Sequence, residues 1–325
     1  MVIKIVWRLG RQVLARRGEY KISSLLLGIL RCTRIFAYYE EHKRFFASDI
    51  YRNYLAPVSS NYVLRHLTHR AYLIGGLSTR ERVRCLLTHY QFEDRVFNHL
   101  YKCAVYLEDG IFLWQRSICG SDFAIKLAMS IPGTAEGELT VTLLADGECL
   151  HRISFSWIEG SLVGLPCPIV PFLARNQGAG RDSKHAVEAF KKAFPKNSPR
   201  FFCFAAVQGI AEAVGLTQVI GVKSHRQVIF SLTGEHFTSA YDVFWKDVGG
   251  IEVSDYGYLI ELPFYRESSA NITSKYGQQA AMRRLFWKEI SASAQNSLKP
   301  HVGIYEGQSQ SSSLREDQPP CEIAA

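Results

Sequence analysis

The chain has 325 residues, 47% of them hydrophobic, 12% aromatic and 21% charged. That balance builds a sizeable core and excludes collagen-like, low-complexity and small disulfide-stapled classes. The net charge of +8 is uneven: residues 1–100 carry 17 Lys/Arg against 7 Asp/Glu, and residues 101–325 carry 21 against 23. The basic third is therefore the part suited to anionic partners.

The first element is a helix over residues 2–17. Val2, Ile3, Ile5, Val6, Leu9, Val13 and Leu14 share a face, with Lys4, Arg8 and Arg11 opposite and Trp7 at the edge. This is the pattern of a helix lying on an anionic membrane surface, and equally of one docked on a core with a basic outer face. The apolar run Ile22–Leu30 is too short to span a bilayer, and no small-residue cleavage site follows it. The eight cysteines form no CxxC pair and sit mostly in apolar runs, as buried thiols of a reducing interior do. These signs place the protein in the cytoplasm, with peripheral association at the inner membrane as an option.

Residues 1–79 read as a basic helical region, with His66 and His69 on a basic helix surface. Ser78 followed by Glu81 is a capping box opening the next helix. Residues 80–300 read as one α+β domain. Alternation at Phe123–Met129, Leu139–Leu143 and Ile153–Trp157, with Asp146-Gly147 as a tight turn, predicts an antiparallel meander. A fourth strand follows at Ile169–Arg175. Asp182 or Ser183 caps a helix through Phe194, and Ser198-Pro199 opens another that ends at Gly215. Strands are expected at Gln218–Val222 and Val253–Leu262, and helices at Tyr241–Val248 and 274–292. Asp242, Trp245 and Asp247 fit helix capping and core. Residues 301–325 form a Gln/Ser/Pro-rich tail of disordered composition.

The sharpest local feature is Arg175-Asn176-Gln177-Gly178-Ala179-Gly180, between a strand and a helix. Glycines there let backbone N–H groups approach a ligand, and the helix N-terminus favours an anion. An ordinary strand-to-helix turn has the same composition. A meander, then R-x-x-G-x-G, then a helix resembles the core of GNAT-type acyltransferases: a mixed, mostly antiparallel central sheet flanked by helices. The second helix before Gln218 departs from that pattern. The resemblance implies that Arg175, Gln177, Gly178, Ala179, Gly180 and Arg181 hold the pyrophosphate of an acyl-CoA co-substrate. Acyl transfer to an amine needs a base and an acid for the leaving thiolate. Glu159, just past the third meander strand, is the candidate base and Tyr241 the candidate acid. His225 is a candidate cleft residue. No metal-ligand spacing is readable, and no GxSxG, Walker A or HExxH pattern is present.

Several stretches in order are similar to one bacterial family, VirK/YbjX. They are Thr88-His-Tyr-Gln-Phe92, Glu136-Gly-Glu-Leu139, Ile153-Ser-Phe-Ser156, Arg175–Gly178, Gln218-Val-Ile-Gly-Val222, Tyr241-Asp-Val-Phe-Trp245, Gly249-Gly250 and Arg283-Arg284. The similarity covers roughly residues 80–295. It implies a Gram-negative source, a role near the envelope, and links to virulence and to tolerance of cationic antimicrobial peptides. It assigns no catalytic residue and no acceptor. The alternative to an acyltransferase core is an adaptor or regulator that binds protein or RNA through the basic N-terminal helices. No RNA-binding motif is recognisable, and no DNA partner is expected.

Overall fold

The computed structural model describes residues 34–56, 65–68, 71–130, 135–178, 180, 183–228, 238–265 and 275–303, with Trp7 and Leu30 besides. The helix expected at 2–17, His69 and the tail expected from 301 lie wholly or almost wholly outside the described residues.

The N-terminal part is helical. Helices α1 (Arg34–Ala37), α2 (Tyr39–Ala47) and α3 (Arg65–Thr68) precede α4 (Thr79–Val96) and α5 (His99–Lys102). The α4 capping box is present: the Ser78 hydroxyl accepts from Glu81 N–H, and Glu81 accepts from Ser78 N–H. Ile35, Phe45, Phe46, Ile50 and Leu67 share one apolar cluster with the sheet. His66 is not on a basic surface. It is fully buried and stacks on His42, with their Nε2 atoms 3.0 Å apart. Helical spacing gave its phase but not what packs over that face.

The centre is an α+β sheet of eight strands: β1 (Ile111–Ile118), β2 (Ser121–Met129), β3 (Leu139–Ala145), β4 (Glu148–Ile158), β5 (Val170–Gly178), β6 (Gln218–Val222), β7 (Ile251–Glu252) and β8 (Gly257–Glu261). Their spatial order is β1-β2-β3-β4-β5-β6-β8-β7. Every neighbouring pair is antiparallel except β5 with β6. The β3–β4 hairpin turns on Asp146 (φ 49°) and Gly147 (φ 81°), the left-handed pair that matches strand twist. Between β5 and β6 run α6 (Lys184–Ala193) and α7 (Pro199–Ala213). The second helix therefore lengthens the crossover while β6 still returns parallel beside β5. The segment expected as one strand at Val253–Leu262 is β8 alone, because Val253–Tyr256 turn the chain back from β7.

Helix α8 (Thr238–Asp247) and the long α9 (Lys275–Leu298) complete the fold. On one face of the sheet, Phe123, Leu139, Val141 and Leu143 share an apolar cluster with Phe190, Phe194 and Phe202. α7 is apolar all round because α9 covers it on the far side. Gly209 permits that approach: a Cβ there would lie 2.2 Å from the Ser291 carbonyl oxygen. α9 also covers edge strand β1, where Ser293 Oγ donates to Leu113 O at 2.7 Å and Trp114 Nε1 to Glu289 at 2.9 Å. This protects an edge that could otherwise template pairing with another chain. Among the described residues, no helix is long and apolar enough to cross a membrane. The described Cys85, Cys103, Cys119, Cys149, Cys167 and Cys203 are free thiols, and no metal-binding cluster of three or more ligands occurs there.

Candidate functional site

The parallel pair is short. Phe172 pairs with Ile220 and Leu173 with Gly221, and there the pairing stops. β5 continues to Gly178, still paired with β4, whereas β6 ends at Val222 and turns away into Ser224–Arg226. A bulge at Ala174, between the pairs Leu173–Phe155 and Arg175–Ser154, re-aims the strand where it leaves β6. The two strands thus part beyond Leu173 and Gly221.

Tyr241 enters this gap. Its hydroxyl oxygen accepts from Asn176 N–H at 3.2 Å. α8 is held in place by Trp245, fully buried, whose Nε1 donates to Val222 O at 2.8 Å. Gly221 makes room for it, since a Cβ at that position would lie 2.3 Å from the indole ring. Asp242 Oδ1 accepts from Ser224 N–H at 3.0 Å and fastens the same helix to the turn after β6. Burial raises the Tyr241 phenol above its ordinary value, keeping it protonated at neutral pH.

Arg175 points to the same place. Its Nε lies 3.5 Å from Glu136 Oε2 and donates to Gln177 Oε1 at 2.8 Å. Glu136 precedes β3 and is almost buried, and burial lifts its carboxyl above the usual range against the pull of Arg175. Both Glu136 and Arg175 act electrostatically on Tyr241. A carboxylate and a phenol therefore share one site with an arginine between strands. In the sequence Glu136 stands within Glu-Gly-Glu; an acidic residue beside a glycine just before an apolar strand is the signal that marks it.

Gly178 ends β5 opposite His151, and exposed Gly180 lies between it and α6; Ala179 and Arg181 fall outside the described residues. Neither glycine is forced by sterics. A Cβ at Gly178 meets only His151 at 3.8 Å, and one at Gly180 meets nothing within 4 Å. The α6 N-cap residue, Ser183, makes no capping hydrogen bond, and the first turn carries Lys184 and His185 with no acidic residue. Basic residues at that end oppose the helix dipole, so the exposed N–H groups favour an incoming anion.

Glu159 stands elsewhere. It follows β4 at the end where Ile158 pairs with Val170, six residues along β5 from Asn176, or about 20 Å at strand rise. Arg84, Thr88 and Ser161 all donate to it, and these bonds outweigh desolvation and hold its carboxyl below the usual range. His225 is paired with Asp255 at the surface.

A strap over residues 71–77 closes one side of the gap. Leu73 N–H donates to Ala135 O and Gly75 N–H to Arg226 O, both at 2.6 Å. Tyr72, Leu73 and Ile74 are fully buried in one cluster with Phe172, Ala174, Ile220 and Val222. Leu73 has φ 62°, with Ile74 N–H bonded back to Tyr72 O at 2.7 Å. This tight turn is strained for a branched side chain. Behind the strap, Tyr72 and Tyr90 hydroxyls each donate to buried Glu138 at 2.6 Å.

Residues 29–295 match the family model described as a protein of unknown function, DUF535. The chain belongs to the DUF535 family. No curated protein matches it, and no solved structure does. The DUF535 match reaches back well ahead of residue 80, where the sequence resemblance to VirK/YbjX begins. It takes in α1 to α3, the strap, the parted strands, Glu136, Arg175 and Tyr241.

Proposed function

We propose that this DUF535 protein transfers an acyl group from a coenzyme A thioester to an amine at the gap between β5 and β6. The observation that carries the reading is the parting of the one parallel pair among the described strands, with the Tyr241 hydroxyl inside the gap and the uncapped α6 N-terminus near the end of β5. The resemblance to GNAT-type acyltransferases supplies the activity class.

In this mechanism the pyrophosphate lies at Gly178, Gly180 and the Ser183 end of α6, with Lys184 adding charge. Arg175 is already held by Glu136 and Gln177, so it orders the β5 end more than it grips phosphate. The acceptor amine attacks the thioester carbonyl carbon. Its proton passes to Glu136, whose raised pKa suits a base. The C–N bond forms, the C–S bond breaks, and the Tyr241 hydroxyl gives its proton to the leaving sulfur. Glu136 replaces Glu159 as base because it shares the gap with Tyr241, whereas Glu159 ties α4 to the end of β4.

A thermal-shift series with acetyl-CoA and longer acyl-CoAs tests the reading, since a ligand that binds the native state raises Tm by mass action. A rise of several degrees at 1 mM is expected for at least one ester. No rise with any of them reduces the turn to a connection and brings the adaptor reading forward.

A further inference from the structure

His99 opens α5 and Cys103 follows it, so the two side chains share a helix face. Cys103 Sγ lies 3.4 Å from His99 Nε2 and 3.7 Å from Nδ1. The Tyr54 hydroxyl lies 2.5 Å from His99 Nδ1. With Nδ1–H donating to the Tyr54 oxygen, Nε2 is left to accept a proton from the thiol. A nucleophile, a base within its reach and a third group that turns the base form the arrangement used in covalent catalysis.

The frame around these three residues is firm. Asn98 Oδ1 accepts from Tyr101 N–H at 3.0 Å and caps α5, and Tyr101 is fully buried. Tyr54 and Cys103 each lie in a widened helical turn: Ala56 N–H donates to Tyr51 O at 2.8 Å, and Glu108 N–H to Cys103 O at 3.1 Å. Such turns recur at functional sites. Two carboxylates share this region, Asp49 and Asp94, and Lys102 holds both, at 3.8 and 2.7 Å. Their charge is thereby offset near the thiol.

His99 is exposed and Cys103 half-buried, so a reactant reaches the sulfur from solvent. Leu100 and Leu107, on either side of Cys103 in the chain, are 65% and 47% exposed. Exposed apolar side chains beside a thiol suit a reactant that carries a hydrocarbon chain. A fatty acyl thioester combines such a chain with a carbonyl carbon that a thiol attacks.

We propose that Cys103 accepts a fatty acyl group from a thioester, with His99 as its base. His99 Nε2 takes the thiol proton, and the sulfur attacks the thioester carbonyl carbon. A new C–S bond forms, the original C–S bond breaks, and the leaving thiolate takes the proton from His99. This exchange of one thiol for another consumes no oxidant or reductant. It does not rest on the reading given for the gap between β5 and β6.

The test incubates the full chain with palmitoyl-CoA and locates the thioesters by peptide mass. Cys103 should be acylated about tenfold faster than Cys119, an exposed thiol, and neutral hydroxylamine should remove the group. His99→Gln should slow acylation of Cys103 about tenfold, with Tm kept within about 2 °C and the Cys119 rate unchanged. Acetyl-CoA should react with Cys103 more slowly than palmitoyl-CoA, and Leu100→Ser with Leu107→Ser should remove that difference. Equal rates at Cys103 and Cys119, or a His99→Gln variant as fast as the parent, would overturn the proposal. Acetyl-CoA as fast as palmitoyl-CoA would overturn the fatty acyl class. Where His99→Gln fails to fold, the parent alone decides: iodoacetamide should alkylate Cys103 about tenfold faster than Cys119, and equal rates would overturn the activation of the thiol.

Discussion

Two buried side chains set opposing pH responses. Glu93 accepts from Trp157 Nε1, Tyr101 and Tyr106, yet burial outweighs these bonds and lifts it from 4.5 to about 7. Its folded form binds a proton more tightly than the unfolded chain, so its contribution falls as pH rises from 4.5 to 7. His151, bonded to Asn176 Oδ1 at 2.6 Å, is driven by burial from 6.5 down to about 4. Its contribution is present above pH 6.5 and is lost as pH falls toward 4. Each shift is worth roughly 3 kcal/mol, and the two nearly cancel between pH 4.5 and 6.5. Glu93→Gln should expose the histidine response: in urea unfolding, stability should climb by about 3 kcal/mol from pH 4.5 to 6.5, where these two groups leave the parent level. An unchanged profile would show that Glu93 does not titrate in that range. At the site itself, Tyr241→Phe leaves Asn176 N–H without its acceptor. It should cost about 1 kcal/mol of stability and lower the proposed acyl transfer about 10²-fold with affinity for the proposed CoA ester preserved; a fully active variant would remove Tyr241 from the proposed chemistry.

Among the elements, the capping box of α4 and the α7–α9 contact make separable predictions. Ser78→Ala should cost about 1 kcal/mol in denaturant unfolding, because one N–H of Glu81 loses its acceptor. Gly209→Val places branched carbons where the Ser291 carbonyl already sits; it should cost more than the 1–3 kcal/mol typical of overpacking, and a Tm unchanged within 2 °C would contradict the backbone approach. Elements with their own chemical punctuation were readable: α4 from Ser78 and Glu81, the β3–β4 turn from Asp146-Gly147, and α7 from Ser198-Pro199 and Gly215. Strand β1 was missed because its register shifts between Phe112 and Trp114, which breaks the alternation that marks a strand. The two-residue β7 is too short to show any period. At the site, the Arg175–Gly180 turn and Tyr241 were visible through residue type. Glu136 meets Arg175 only because β3, β4 and β5 align as they do, and the distance of Glu159 from Tyr241 follows from that same register.

Across the described residues, the N-terminal helices pack into the same core as the sheet. α2 and α3 contribute Phe45, Phe46 and Leu67 to the main core, and the strap that follows them seals the gap beside Ala174 and Ile220. The basic, apolar-faced segment 2–17 is the proposed contact with anionic membrane surfaces, and deleting residues 1–20 should abolish co-sedimentation with phosphatidylglycerol vesicles while leaving Tm within a few degrees; equal sedimentation of both proteins would remove that role. The gap between β5 and β6, with Gly178, Gly180 and the Ser183 end of α6, is the proposed seat of a coenzyme A thioester. Isothermal titration of acetyl-CoA into the full chain and into Gly178→Val tests it most directly, because a Cβ at that position meets only the His151 ring, at 3.8 Å. Saturable one-to-one binding by the parent, weakened at least tenfold in Gly178→Val at unchanged Tm, is the predicted result. No heat of binding in the parent, or equal affinity in both proteins, would contradict it.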